Sequence, residues 1–482
     1  MLAAIQNTFF ILVISLAISI ICVIPAQTQP ADIKIAAKST TWKYTWKPVS
    51  QETAPTVTVC PLKYDKMWAY AVEIDDGPIS AFTVTQPLLE QYFYSDAPPG
   101  MHGGKAMPFV GGVGVMVIRV DAKNATFVNW EQLHTLQQKG WGIINHGYWH
   151  SGNSWDPNGG LTAEGFRNEL FWSQAFLAVK MKGGRSASHF IYPNGYMEYK
   201  NYLKEFGLIS GSRVAGKSHN LADPTLDLKD LDRNYLDESV WAKPGDVMAG
   251  FPAQPKPSDL IIDFTHGMDP DSTSPNNIRW HERLKNIAGL YGRTGKDNMW
   301  CASTPEIVEY SLAAHAVKVQ PQKGEVTLSL PSTAPGSSIT FKMKGINAKS
   351  EIMAPSGGAM YRKGDEVWIT TPVIGVAEAA APNPHIKRIY EGPVKDVTLE
   401  APAHIAGIRV LQFGEMQADY KLNIGLVTPE GKTVPFVSTA LKSDWGTWLL
   451  YPTVPNHPAP MVKGITINSA QGLLKMEIWA VE

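Results

Sequence analysis

Between residues 65 and 316, short apolar runs that stop at turn residues alternate with longer amphipathic stretches, and this alternation most limits the folds open to the chain. Met67-Trp68-Ala69-Tyr70-Ala71-Val72-Glu73-Ile74 reads as a buried strand ended by Asp75-Asp76-Gly77-Pro78. Val113 to Val120 reads as a second strand and Trp141 to Asn145 as a third, followed by His189-Phe190-Ile191, Gly207 to Gly211, Asp259 to Thr265 and Met299-Trp300-Cys301. A helix opens at Asn129, with Gln132 at the third turn position and Gly140 closing it. Further helices are expected over 163–182, 196–206, 280–291 and 304–316. Strand followed by helix throughout predicts an α/β fold, a parallel sheet or barrel.

From Val317 the helical period disappears, and short runs such as Glu325 to Leu330 and Ser338 to Met343 are separated by Gly and Pro, which predicts β structure. Ala379-Ala380-Ala381-Pro382-Asn383-Pro384 reads as a linker. The expected organisation is a signal peptide over 1–28, an extended segment over 29–64, an α/β region over 65–316, a β-rich accessory region over 317–378 and a C-terminal β-sandwich over 385–482. Phe9 through Ile24 is nearly all apolar and is followed by Pro25-Ala26-Gln27, the pattern of a secretory signal, although the first basic residue is Lys34. An uncleaved anchor stays open; Ile20 and Ile21 argue against a lipid on Cys22. The chain is expected to be exported, to the periplasm, the cell surface or the medium, without stable membrane insertion once the signal is removed. Cys60 and Cys301 are then left, free or bonded to each other. With 43 basic and 44 acidic residues and no block of like charge, nothing tracks a phosphate backbone, so nucleic acid is not an expected partner. The oligomeric state is left open.

Polar residues collect just after the strand ends: Asp75 and Asp76, then His146 and His150, then Pro193-Asn194-Gly195, then His266. In βα folds the catalytic groups gather at that rim. Imidazoles at i and i+4 share one face of a helical turn and can reach one ion, given a third ligand from elsewhere. Adjacent strand residues point opposite ways, so Asp75 and Asp76 have different jobs. One carboxylate and two imidazoles make a three-ligand site with room for water, the arrangement of a hydrolytic zinc centre. The other carboxylate then accepts a proton and a histidine across the site returns one.

The order Asp-Asp-Gly, Asn-His-x-x-x-His, Pro-x-Gly and a strand ending in Thr-His resembles the polysaccharide deacetylase family of carbohydrate esterases, over residues 65–316. The resemblance implies a distorted (β/α) barrel of about seven strands. It also implies an enzyme that removes N- or O-acetyl groups from a glycan with a divalent ion, zinc first. By position it makes Asp75 the base, His266 the acid, and Asp76, His146 and His150 the metal ligands. Asn194 and Tyr196 would help hold the oxyanion or substrate. The chain departs from the family at Ile191, where an arginine that steadies the base is usual, and Arg213 is the candidate replacement. Ser151 replaces a frequent proline, and the Asp/Trp segment between the third and last motifs is not evident.

An acetylated glycan is therefore the expected partner, with Trp149 and Trp155 able to stack on sugar faces or to fill the core. Trp445 and Trp448 fit a sugar-binding sandwich or the core of the last region, the core being the first expectation. Asp269-Pro270-Asp271 reads as a turn rather than a calcium loop, and His102, His134, His189 and His281 as structural. Two other readings stay open: a binding protein on the same barrel with little or no turnover, and a hydrolase of a non-glycan amide.

Overall fold

A strand covered on both faces must be apolar along its whole length, and Trp68–Ile74 is buried at every position, Glu73 included. In the computed structural model this strand is central to a sheet whose parallel members, in chain order, are β1 (Trp68–Ile74), β2 (Gly112–Val115), β3 (Gly142–Asn145), β4 (His189–Ile191), β5 (Ser210–Arg213), β6 (Leu231–Asp232), β7 (Asn234–Tyr235), β8 (Asp259–Thr265) and β9 (Met299–Cys301). The structure describes residues 39–481 apart from 50–52, 97–105, 121–125, 151–161, 182–186, 216–218, 238–245, 332–333, 336, 356–357, 373–385, 413–423, 437, 443–446, 453–460 and 468–472. The expected signal peptide, the linker, Trp155, Trp445 and His102 lie outside the described residues.

Strands β2, β3, β4 and β5 follow one another across the sheet from β1, whose other side is taken by β8, while β9 sits beside the start of β1. Then β6 pairs with β5 and β7 pairs with β8, with Arg233 alone between them. The chain thus runs from one edge of the sheet to the other and brings it close to a ring. All these strands run the same way, so Ile74, Val115, Asn145, Ile191 and Thr265 end at one rim.

The helices α1 (Trp130–Gln138), α2 (Ala163–Lys180), α3 (Pro275–Tyr291) and α4 (Thr304–Ala316) lie close to the expected spans. The Asn129 side chain accepts from Gln132 N–H, and the Gln132 side chain accepts from Asn129 N–H, so α1 starts at its capping box. The expected distorted (β/α) barrel is met by the sheet but not by the helices. The 196–206 stretch is two 3-10 segments, Met197–Asn201 and Leu203–Phe206, and among the described residues no α-helix joins β5 to β8. There Asn220, Asp223 and Asp227 accept backbone N–H bonds from two residues further on, turns that compete with helix. The fold is mixed α/β, a nearly closed barrel-like sheet beside separate β-sheets. No described helix is long and apolar enough to cross a membrane.

Thr40–Trp46, expected as an extended strap, is a strand between Glu325–Leu330 and Ile352–Met353, and Thr56–Val59 pairs with Thr340–Lys344. Trp42, Tyr44, Val326, Leu328 and Phe341 make the core of that β region. Cys60 and Cys301 are both buried and free. After residue 385 the strands are antiparallel, arranged around the long Val397–Gln412 strand, with their own core of Ile405, Ile408, Val410 and Ile478.

Trp479 leaves that core for another: it is fully buried in the barrel's cluster, its ring 4.4 Å from Phe176 of α2. Around it Glu477 meets Lys180 at 2.7 Å and Arg409 at 3.5 Å, and Arg409 donates to the Val120 carbonyl at 3.0 Å. Burial opposes ionisation of Glu477, but Arg409 and Lys180 hold its carboxyl at about 2. That carboxylate contributes stability above its ordinary 4.5, and loses it as pH falls through about 2. Replacing Glu477 by alanine removes the anion that faces buried Arg409 and part-buried Lys180 and should cost about 3 kcal/mol in denaturant unfolding. Truncating Arg167, whose pair with Glu205 is about half exposed, should move the midpoint far less.

Candidate metal centre

The rim turns bring Asp76, His146 and His150 together, with one ligand atom of each within 4.8 Å of the others. The His146 and His150 Nε2 atoms stand 3.3 and 3.6 Å from Asp76 Oδ1, and the two rings are 4.7 Å apart. The histidines do not lie on a helix, as their spacing had suggested. After β3 the chain turns through Gly147 at φ +83° and reaches His150 at φ +65°, which folds the second ring back over the first. Past the end of β1, Asp76 stands at φ +69° and faces the two histidines, while Asp75 faces Arg233, so the two carboxylates have different partners, although neither lies in the strand whose alternation predicted it.

His146 Nδ1 lies 2.9 Å from the Ile191 carbonyl, which can only accept, so Nδ1 carries the hydrogen and Nε2 presents a lone pair. That lone pair faces Asp76 Oδ1, and both atoms are buried without a hydrogen bond. Two acceptors held 3.3 Å apart in a buried site call for a cation between them. The donor set therefore fits a divalent ion; its identity is not fixed by these ligands. Burial and the neighbouring His146 ring push His150 down to about 3, so its ring is neutral at ordinary pH. Burial opposes ionisation of Asp76, yet the two histidines and Arg119, 3.6 Å away, hold its carboxyl well below the usual range.

Asp75 is buried at the end of β1, its N–H bonded to Thr265 O of β8 at 3.0 Å. Its carboxylate accepts two bonds from Arg233, at 2.7 and 2.9 Å. This corrects the expectation for Arg213, which pairs instead with Asp230 at 2.7 Å. Arg213 ends β5 and turns outward to the neighbouring turn, whereas Arg233 sits at the ring closure with its side chain inside. Ile191 is buried and apolar, and the guanidinium that holds Asp75 is supplied by the residue between β6 and β7.

His266 follows β8 and is exposed. Asp237 accepts from its Nδ1 at 2.6 Å and from its N–H at 2.9 Å, so Nε2 is turned to the open side. The bond to Asp237 outweighs burial, and Asp75 and Asp76 add their charge, holding the ring at about 9. Asp237 and Arg233 were both missed in the sequence. The signal was the charged stretch Asp232-Arg233-Asn234-Tyr235-Leu236-Asp237, too short in its strands to show a period. Trp241, four residues on, lies outside the described residues.

Asn194 stands at φ +51° with Nδ2 3.5 Å from His150 Nδ1. The Gly195 and Tyr196 N–H groups bond to Tyr192 and Pro193 carbonyls at 3.0 Å, so neither N–H is free for an oxyanion, while the Tyr196 ring is half-buried against the barrel core. Trp149 is half-buried against the barrel core, and its N–H donates to Glu169. His189, expected as structural, is buried with Nε2 3.2 Å from Glu73 Oε1.

No protein-family model and no curated protein matches the chain. A solved structure, a Streptococcus pyogenes deacetylase (PplD) in complex with acetate, aligns with 16% identity over 33% of this chain and 61% of its own, at a TM-score of 0.26. The chain thus spans about six-tenths of that structure, and a likeness this slight bears on neither fold nor activity.

Calorimetric titration of metal-stripped protein with Zn2+ or Co2+ should give one ion per chain. His146→Ala or Asp76→Asn should weaken it by at least about 100-fold, a loss beyond that of outer partners. Followed by NMR, the His266 ring should titrate near 9. Asp237→Asn, which removes the leading cause of that rise, should bring it towards the ordinary value of about 6.5.

Proposed function

We propose that the chain is an exported, metal-dependent hydrolase that removes acetyl groups, N- or O-linked, from a polysaccharide or its oligomers. The observation that carries the reading is that one rim holds a three-ligand metal set, a carboxylate clamped by an arginine and a histidine clamped by a carboxylate. A divalent ion held by Asp76, His146 and His150 supplies a Lewis acid that polarises the acyl oxygen and lowers the pKa of water.

Everything else falls to side chains of this protein. Asp75, fixed in plane by the two Arg233 bonds, accepts the proton of the attacking water. His266, charged at neutral pH and anchored by Asp237, gives a proton from Nε2 to the departing amine or alcohol. Acetate and the free sugar group leave, and the two groups exchange their proton with solvent before the next turnover. The two Arg233 bonds that hold Asp75 favour this reading over a binding protein on the same barrel.

The test is acetate release from acetylated chitin, peptidoglycan and xylan oligomers, with chelator and after Zn2+ or Co2+ is restored. Activity should disappear with chelator, return with metal, and fall at least about 1000-fold in Asp75→Asn, as for loss of a group acting in proton transfer. Sugar binding without acetate from any substrate under any metal would overturn the reading.

A further inference from the structure

Beneath Asp75 the interior of the barrel is charged where such a core is normally apolar. Glu73 on β1 and Asp75 just past its end are two apart, and both turn to the same Arg233 Nη1. Glu73 is fully buried and its oxygens take four partners. Oε2 accepts from Ser212 at 2.9 Å and from Arg233 Nη1 at 3.0 Å. Oε1 accepts from Thr304 at 2.6 Å and stands 3.2 Å from His189 Nε2. Burial would keep this carboxyl protonated, but His189, Arg233 and Thr304 hold it at about 2. Each face of His189 is bound in turn: Nδ1 lies 2.7 Å from Ser210 Oγ and Nε2 3.0 Å from Ser212 Oγ.

Since the Ser212 hydroxyl donates its one hydrogen to Glu73, it can only accept from His189 Nε2. Nε2 therefore carries a hydrogen and points it at the Glu73–Ser212 pair. The orientation of every group is fixed by the one below it, up to Arg233, whose Nη1 is shared between Glu73 and Asp75. A buried guanidinium with Asp75 alone could swing about that carboxylate. Bonded to both, it has one position, with its Cζ 3.7 Å over the Phe264 ring.

We propose that Glu73 and His189 are positioning residues for the reaction: they fix Arg233, and through it the plane and reach of the Asp75 carboxylate. Neither touches the metal ligands or the substrate. The inference rests on the hydrolase reading above for its kinetic consequence, not for its structural one.

Three variants and two readouts test it. Glu73→Gln keeps the shape but gives up the charge. His189→Gln keeps an N–H able to reach Glu73, and His189→Leu keeps none. Glu73→Gln and His189→Leu should lower kcat by roughly 10- to 100-fold, the scale of lost outer partners. KM and the affinity for Zn2+ should stay within about twofold, and His189→Gln should recover most of the loss. Combined with Arg233→Lys, Glu73→Gln should add little, because both act through one group. Additive losses, a change carried in KM or in metal affinity, or kcat left at the wild-type value would overturn the proposal.

The second readout needs no substrate. In 15N-arginine-labelled protein, the Arg233 Nη hydrogens, assigned by their absence in Arg233→Lys, should be resolved and slow to exchange in the wild type. They should be averaged in Glu73→Gln and in His189→Leu, and resolved again in His189→Gln. If the wild type releases no acetate, the hydrolase reading fails and this spectrum still decides the positioning. If Arg233 stays resolved in both Glu73→Gln and His189→Leu, the positioning fails on its own. A Glu73→Gln protein that does not fold leaves the His189 pair of variants to decide.

Discussion

One guanidinium, that of Arg233, is bonded to two buried carboxylates, and most of what is distinctive here follows from where it stands. It is the single residue between β6 and β7, the point at which the chain leaves one edge of the sheet and joins the other. Inside, it bridges Glu73 and Asp75; outside, the next residue, Asn234, donates to Asp263, which Arg283 of α3 clamps with two bonds. A buried charge is tolerated only where its partners are fixed. The ring closure and the reacting carboxylate are therefore held by the same contact, and neither can shift without leaving a buried charge unpaired.

The rim is also where the backbone is least relaxed. Asp76, His150 and Asn194 are three of the seven described non-glycine residues at positive φ. Such conformations cost of the order of 1–3 kcal/mol each and persist only when their surroundings dictate them. Here the surroundings are the ends of parallel strands, whose ladders fix the residue before each turn. Gly147 must itself be glycine: it is left-handed, and a Cβ there would lie 2.9 Å from the Glu169 carboxylate.

Much of this was legible in the sequence because strand ends announce themselves. An apolar run, an acidic or imidazole residue and a Gly or Pro stand in sequence order, so Asp75, Asp76, His146, His150 and His266 could be picked out. The Asn129–Gln132 box likewise placed α1. What was not legible depends on pairing across the ring. Two strands of two residues carry no period, so Arg233 and Asp237 looked like loop charges while Arg213, after a clear strand, drew the assignment. The helical reading of the histidine pair failed because positive φ at a histidine leaves no mark in composition. Trp479 was invisible for a related reason: nothing local says that a strand of one sheet lends a side chain to another core.

That loan has a consequence for the order in which the molecule can be completed. Thr40–Trp46 finds its neighbours at Glu325–Leu330, and Phe176 of α2 packs against Trp479, about 300 residues further on. A growing chain thus carries Thr40–Trp46 without this partner until Glu325–Leu330 has been made, and the Phe176 ring without Trp479 for longer still. Closing distant parts of the chain is slow in proportion to how many contacts are non-local. Until those distant partners arrive, the exposed strand and helix face need shelter from other chains.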